Sequence, residues 1–219
     1  MNPISSRRSL LTGAVATAVG AVATTAQAAQ SCKVSNGDIL GPFFLPGSAQ
    51  NVNATIELAK TTEAGDHVVI SGRVLAPDCK TPIAGAMVDA WQANAKGAYD
   101  IAHPDEKIAP ANYNLRGQTK TNDKGEFVLK TVMPGRYNIP PGLPGLGKNA
   151  GQLRPAHIHL TVIHPIFVPL TTQLYFKGDS QIKSDPWAKD SKVVVEMKGK
   201  QGRIDLVLAA GPLTAGGKA

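Results

Sequence analysis

Beyond residue 28 no stretch of the sequence sustains a helical apolar period for three turns, which argues against a helix-built core. No stripe of Lys and Arg interleaved with aromatics appears, so a nucleic-acid partner has no support. There is no Gly-rich phosphate loop and no Ser, His and Asp arrangement of the triad kind, which leaves those chemistries without a basis. Internal repeats and low-complexity segments are also missing after residue 28. Cysteine is scarce, with only Cys32 and Cys79 present. In an oxidising compartment the two can pair and tie the start of the mature chain to a turn, or they can stay apart as two unrelated buried thiols.

What is there begins with an amino-terminal pattern distinct from the rest. The chain opens polar, carries Arg7 and Arg8 within Ser6-Arg7-Arg8-Ser9-Leu10-Leu11, and runs through an uncharged Ala, Val and Gly segment to Ala26-Gln27-Ala28. Small residues stand at both cleavage positions. This predicts an export signal of the twin-arginine kind over residues 1–28, followed by a mature chain from residue 29, with a periplasmic or secreted destination. A transmembrane anchor is the competing reading, but residues 10–28 are weakly apolar and no stop-transfer pattern follows, so no stable membrane insertion is expected after processing. Lipid modification at Cys32 is disfavoured, because Ala29-Gln30-Ser31 lacks the bulky apolar residue of such a site. Removing residues 1–28 takes away two arginines and no acid, which lowers the formal charge from +7 to about +5. A modest excess of this kind draws in small anions.

In the mature chain, segments of alternating or β-branched character recur at residues 67–75, 86–92, 126–132, 157–163, 171–176 and 203–208. Turn compositions separate them: Pro77-Asp78, Lys80-Thr81-Pro82, Asn122-Asp123-Lys124-Gly125 and Met133-Pro134-Gly135. The pattern predicts an all-β fold, a β-sandwich, formed as one domain over residues 29–219 with a frayed Gly/Ala tail past about residue 210. Two long irregular stretches, residues 93–118 and 138–154, interrupt the strands. Loops of that length in a compact domain are often functional.

The sharpest local feature is Arg154-Pro155-Ala156-His157-Ile158-His159-Leu160. On a strand, side chains alternate, so His157 and His159 share a face and their imidazoles can converge on one metal ion. Zinc, copper and iron proteins all use such a pair, and two histidines on a solvent face is the bland reading. Tyr99 and Tyr137 stand in the two long loops or at their edge. A phenol ordinarily titrates near pH 10, so phenolate ligation needs a strongly acidic metal, and iron(III) is a hard ion that favours anionic oxygen. Against this, a tyrosine ending a hairpin is commonly a packed aromatic, and Arg154 alone could be a surface charge. His67, His103 and His164 receive no role.

The chain resembles the intradiol ring-cleavage dioxygenases, the family of protocatechuate-, catechol- and hydroxyquinol-cleaving enzymes. The resemblance runs through Gly41-Pro42-Phe43-Phe44-Leu45-Pro46-Gly47, Ile70 to Val74, Pro82 to Ala86, Trp91 to Asn94, Gly97 to Asp100 and Arg116-Gly117. It continues through Thr121 to Phe127, Pro134 to Tyr137, Arg154 to His159, Thr172 to Phe176 and Gly178-Asp179. It implies iron(III) held by Tyr99, Tyr137, His157 and His159, with Tyr137 as the labile axial ligand. It further implies Arg154 as the positive group over the substrate ring, Gln173 as a partner close to the site, and Phe43 and Pro46 as walls of the ring pocket. The reaction implied is cleavage of a catechol-type small molecule by O2 to a cis,cis-muconate-type diacid. Copies of family members often associate, so a homo-oligomer stays open. The segment from Gly72 to Tyr137 also resembles non-catalytic transthyretin-like and carboxypeptidase-regulatory-like sandwich modules, and a zinc or copper hydrolase or carrier is the third reading. The sequence departs from the family in the long Pro/Gly loop before Arg154 and in lacking the helical dimerisation region of catechol-cleaving members.

Overall fold

The structure, a computed structural model, describes residues 33–46, 53–143 and 145–211. The expected export signal over residues 1–28 lies outside the described residues, as does Cys32. Cys79 is disulfide-bonded, and no cysteine among the described residues is free. No described helix is long and apolar enough to cross a membrane.

The described residues form strands β1 (Thr55–Glu57), β2 (His67–Leu75), β3 (Met87–Gln92), β4 (Arg116–Lys120), β5 (Glu126–Val132) and β6 (Tyr137–Asn138). They continue with β7 (Leu153–Arg154), β8 (His157–Ile163), β9 (Leu170–Phe176), β10 (Val194–Val195), β11 (Met197–Lys198) and β12 (Gln201–Val207). One five-stranded sheet runs β1-β5-β2-β12-β11, a second runs β10-β9-β8-β3-β4, and β6 pairs with β7 as a separate ribbon. The fold is an all-β sandwich, and the six segments expected from the sequence are β2, β3, β5, β8, β9 and β12.

Alternation decides what each sheet buries. Ile70 and Val74 of β2 with Phe127 and Leu129 of β5 meet Ile158, Leu160 and Val162 of β8 and Leu174 and Phe176 of β9 in one core cluster. Burying a side chain of this size is worth roughly 1.5–3 kcal/mol, so this layer carries most of the stability. Because the inner positions of β8 and β9 are apolar, His157, His159, Gln173 and Tyr175 must face the other way. They are nonetheless 2% exposed or less. Loops from both long irregular stretches and from residues 33–46 and 177–192 cover that outer face and bury it.

The first long stretch is shorter than the composition implies, because β4 begins at Arg116. Arg-Gly-Gln-Thr-Lys has little strand propensity of its own. It is extended because it pairs antiparallel with β3, Trp91 opposite Arg116 through Met87 opposite Lys120.

Candidate metal centre

His159 stands opposite Trp91 across β8 and β3, and its ring stacks on the indole at 4.9 Å with planes 6° apart. The loop that crosses the imidazole does so at Gly41, where φ is +77° and a Cβ would lie 2.8 Å from His159 Cε1. Only glycine permits both that backbone conformation and that approach. Sandwiched in this way, both nitrogens of His159 are buried and without a hydrogen-bond partner among the described residues. His157 is different, because its Nδ1 lies 2.7 Å from the Pro155 carbonyl and donates to it. That tautomer leaves a lone pair on Nε2, which sits 3.5 Å from the Tyr99 hydroxyl. The two imidazole centroids are 4.8 Å apart.

Two turns bring the tyrosines to the histidines. The Asn94 side chain accepts from the backbone N–H groups of Lys96 and Ala98, and Gly135 N–H donates to the Asn94 carbonyl. This closes the turn that aims Tyr99 and lays it on the turn that precedes Tyr137. The two backbones touch: a Cβ at Gly97, where φ is +82°, would lie 2.2 Å from the Arg136 carbonyl oxygen. Gly97→Ala is therefore expected to destabilise the protein by at least about 1–3 kcal/mol from backbone strain alone, read as a lower urea midpoint, and to part the two phenols. A parental midpoint would show that the turns do not meet in this way. As built, the Tyr99 and Tyr137 ring centroids are 5.5 Å apart, and Tyr137 lies 5.6 Å from the ring of His157.

A buried ion pair holds this corner. Arg116 donates through Nε to Asp100 at 2.8 Å, bonds the other carboxylate oxygen through Nη2, and donates through Nη1 to the Phe43 carbonyl at 3.0 Å. Asp100 adjoins Tyr99, and the Phe43 ring stacks on Tyr99 at 4.3 Å. Phe43 thus backs the phenols and keeps water from them. Pro46 lies outside the cluster. Pro46 lines a neighbouring cavity of about 610 Å³ with Pro104 and Ile108, and its carbonyl accepts from Tyr113. A second cavity of about 340 Å³, lined by Ile39, Gly41, Pro42, Pro104, Gly145 and Leu146, opens beside the His159 contact.

Burial pushes the Tyr99 phenol well above its ordinary range, with Tyr137 adding to the rise, and burial likewise raises Tyr137. Burial also pushes His157 down to about 3 and holds His159 well below the usual histidine range. A lone charge is penalised in this low-dielectric place, so the four groups by themselves are neutral. A hard multivalent cation between them would reverse the tyrosine shifts by compensating the phenolate charge. Among the described residues no three His, Cys, Asp or Glu side chains converge as a metal site. A metal here must draw on the tyrosines.

Arg154 reaches the same cluster from β7, where it is the direct partner of Tyr137 across the β6–β7 ribbon. Its Nε donates to Asp185 at 2.6 Å, its Nη2 donates to Gln173 Oε1 at 2.9 Å and to the Tyr175 hydroxyl at 3.1 Å, and Trp187 lies 4.5 Å over the guanidinium. Gln173, opposite His159 in register, donates from Nε2 to Asp38 and to the Ile39 carbonyl. Sequence reasoning names Asp100 and Arg116 only inside matched motifs and passes over Asp38, Asp185 and Trp187. A carboxylate in a polar loop carries no local signal, because its partner is distant in sequence.

In this all-β sandwich the covered outer face of a sheet and the segments over it bring two buried histidines and two half-buried tyrosines together, a set of donors that suits a hard metal ion. The profile of the family described as Dioxygenase matches residues 39–207, which include all twelve strands and the whole cluster. The chain is 36% identical over 180 residues to catechol 1,2-dioxygenase 1 of Acinetobacter lwoffii, covering 78% of this chain and 56% of that protein. Its structure resembles wild-type catechol 1,2-dioxygenase of Acinetobacter radioresistens with a TM-score of 0.69 at 25% identity, covering 84% of this chain and 65% of that one. It also resembles, with a TM-score of 0.63 at 30% identity, the dioxygenase domain of a dioxygenase and carbohydrate-binding fusion from Streptomyces sp. SirexAA-E, covering 82% of this chain and 100% of that domain. The chain belongs to the intradiol ring-cleavage dioxygenase family. It spans little more than half the length of the curated relatives it matches.

Proposed function

We propose that this protein is an exported, iron(III)-dependent intradiol dioxygenase that cleaves a catechol-type ring with O2 to a cis,cis-muconate-type diacid. The observation that carries the reading is His159, an imidazole with both nitrogens buried and without a partner among the described residues, close to the ring of His157 and to two half-buried tyrosines. A polar group left so is costly unless something outside the chain engages it. Export rests on the pattern around Arg7 and Arg8.

Tyr99, Tyr137, His157 and His159 would hold the iron. When bound, a ferric ion supplies Lewis acidity that makes both catechol hydroxyls more acidic and activates the ring toward oxygen. The remaining work falls to the chain. Tyr137, beside Arg154 and at the edge of the cluster, would be a phenolate when it holds the ion, and that oxygen would take up a substrate proton. Arg154 offers a fixed positive charge where negative charge develops on the ring, and its carboxylate, amide and hydroxyl partners keep it from turning away. Phe43, stacked on Tyr99, excludes water, and the apolar cavity lined by Ile39, Pro42 and Leu146 receives the aromatic ring.

The test is a visible absorption spectrum with metal analysis on the folded protein, before and after adding catechol without oxygen. The expected result is about one iron per chain, as a four-ligand site implies, with a broad phenolate-to-iron band that shifts to the red on adding catechol. Tyr99→Phe is expected to shift or bleach that band. A protein that stays colourless and iron-free after reconstitution would overturn the reading.

A further inference from the structure

We propose that Asp185 is a positioning residue for this site: it fixes the Arg154 guanidinium so that the cation reaches Tyr137 and the substrate ring. The inference rests on the reading of Arg154 given above and extends it to a residue outside the ligand set.

Asp185 is 0% exposed and lies on a loop 31 residues from Arg154 in sequence. Its two oxygens have separate tasks. Oδ2 takes Arg154 Nε at 2.6 Å, while Oδ1, 3.4 Å from Nη2, accepts from the backbone N–H groups of Trp187 at 3.0 Å and Ala188 at 2.8 Å. Anchored to its own turn at one oxygen, the carboxylate cannot rotate freely at the other. The same turn lays the Trp187 ring 4.5 Å over the guanidinium. The cation is thus held at one edge by the carboxylate and on one face by the indole. Gln173 and Tyr175 occupy Nη2. Tyr137 is the direct cross-strand partner of Arg154 in the β6–β7 ribbon. A guanidinium is rigid and planar, so fixing its Nε edge fixes where its other edge points. Asp185 therefore acts on Tyr137 through Arg154, without touching the substrate.

A residue that only caps the turn would not behave in the same way, and a mutant cycle separates the two roles. Asp185→Asn, Asp185→Glu, Arg154→Gln and the double variant Asp185→Asn/Arg154→Gln are compared as iron-loaded protein. Asp185→Asn is expected to keep parental iron content and the visible band, because no ligand is touched, and to lower kcat by about 10- to 100-fold. In the double variant kcat is expected to match Arg154→Gln alone within about twofold, since a residue acting through Arg154 has nothing left to act on. Asp185→Glu restores the charge and is expected to fall between Asp185→Asn and the parent. Parental kcat in Asp185→Asn, or multiplying effects in the double variant, would overturn the proposal. If Asp185→Asn does not fold, the cycle is run with Asp185→Glu: a kcat in Asp185→Glu/Arg154→Gln equal to that of Arg154→Gln alone supports the proposal, and a further fall overturns it.

A readout independent of iron and turnover is the Arg154 Nε–H resonance in the metal-free protein, assigned by its loss in Arg154→Gln. It is expected to be shifted downfield and slow to exchange in the parent and in Asp185→Glu, and to lose both properties in Asp185→Asn. An unchanged resonance would overturn the proposal. Iron-loaded parent protein that cleaves no catechol would count against the enzyme reading alone, and the resonance would still decide the pairing.

Discussion

Arg154→Leu is expected to lower turnover by about 10²–10³-fold while the protein still takes up its iron, because the change removes a fixed positive charge aimed at the reacting ring and spares all four proposed ligands. It is also expected to cost stability. Asp185 is wholly buried, and stripping a buried carboxylate of its cation costs about 3–5 kcal/mol in typical cases. The loss should fall at the low end of that range, since Asp185 Oδ1 keeps the N–H groups of Trp187 and Ala188. Leucine can also pack under the Trp187 ring that now faces the guanidinium. Steady-state turnover, iron content and a urea midpoint on the same preparation check the three parts. Unchanged turnover would remove Arg154 from the chemistry, whereas loss of iron together with turnover would make it a structural support of the centre.

His159→Leu is expected to act in opposite directions on the two states of the protein. In the metal-free state the variant removes two buried polar atoms that have no partner among the described residues, and each such group costs about 1–3 kcal/mol. It also gives up the stacking of His159 on Trp91, worth about 0.5–1.5 kcal/mol. The polar terms are the larger, so metal-free His159→Leu is expected to be about 1 kcal/mol more stable than the parent. With iron supplied the order reverses, because the variant can no longer gain stability from binding the ion. Thermal melts with and without iron read both effects. A metal-free variant clearly less stable than the parent would make His159 a structural histidine rather than a ligand.

The legible parts of this protein were those set by near neighbours in sequence. The period of two over residues 157–163 was enough to place both histidines on one face, since side chains alternate on any strand. Turn chemistry announced Pro134-Gly135, which precedes Tyr137, whereas the turn from Asn94 to Gly97 that aims Tyr99 lay unread inside the long irregular stretch. The short strands were less legible. β4 has a weak sequence and borrows its conformation from β3, while β6 and β7 are two residues each and extend because they pair with one another.

By itself the sequence determined an all-β chain and the shared face of His157 and His159, because each follows from local steric rules or from a repeat of two. Tertiary structure alone decided that the outer face of a sheet is buried rather than wet, that His159 lies between Trp91 and Gly41 with no hydrogen-bond partner among the described residues, and that Asp185 meets Arg154. Those contacts join residues far apart in the chain, and their strength comes from excluding water. Neither the distance closed nor the water lost is written in any short run of residues.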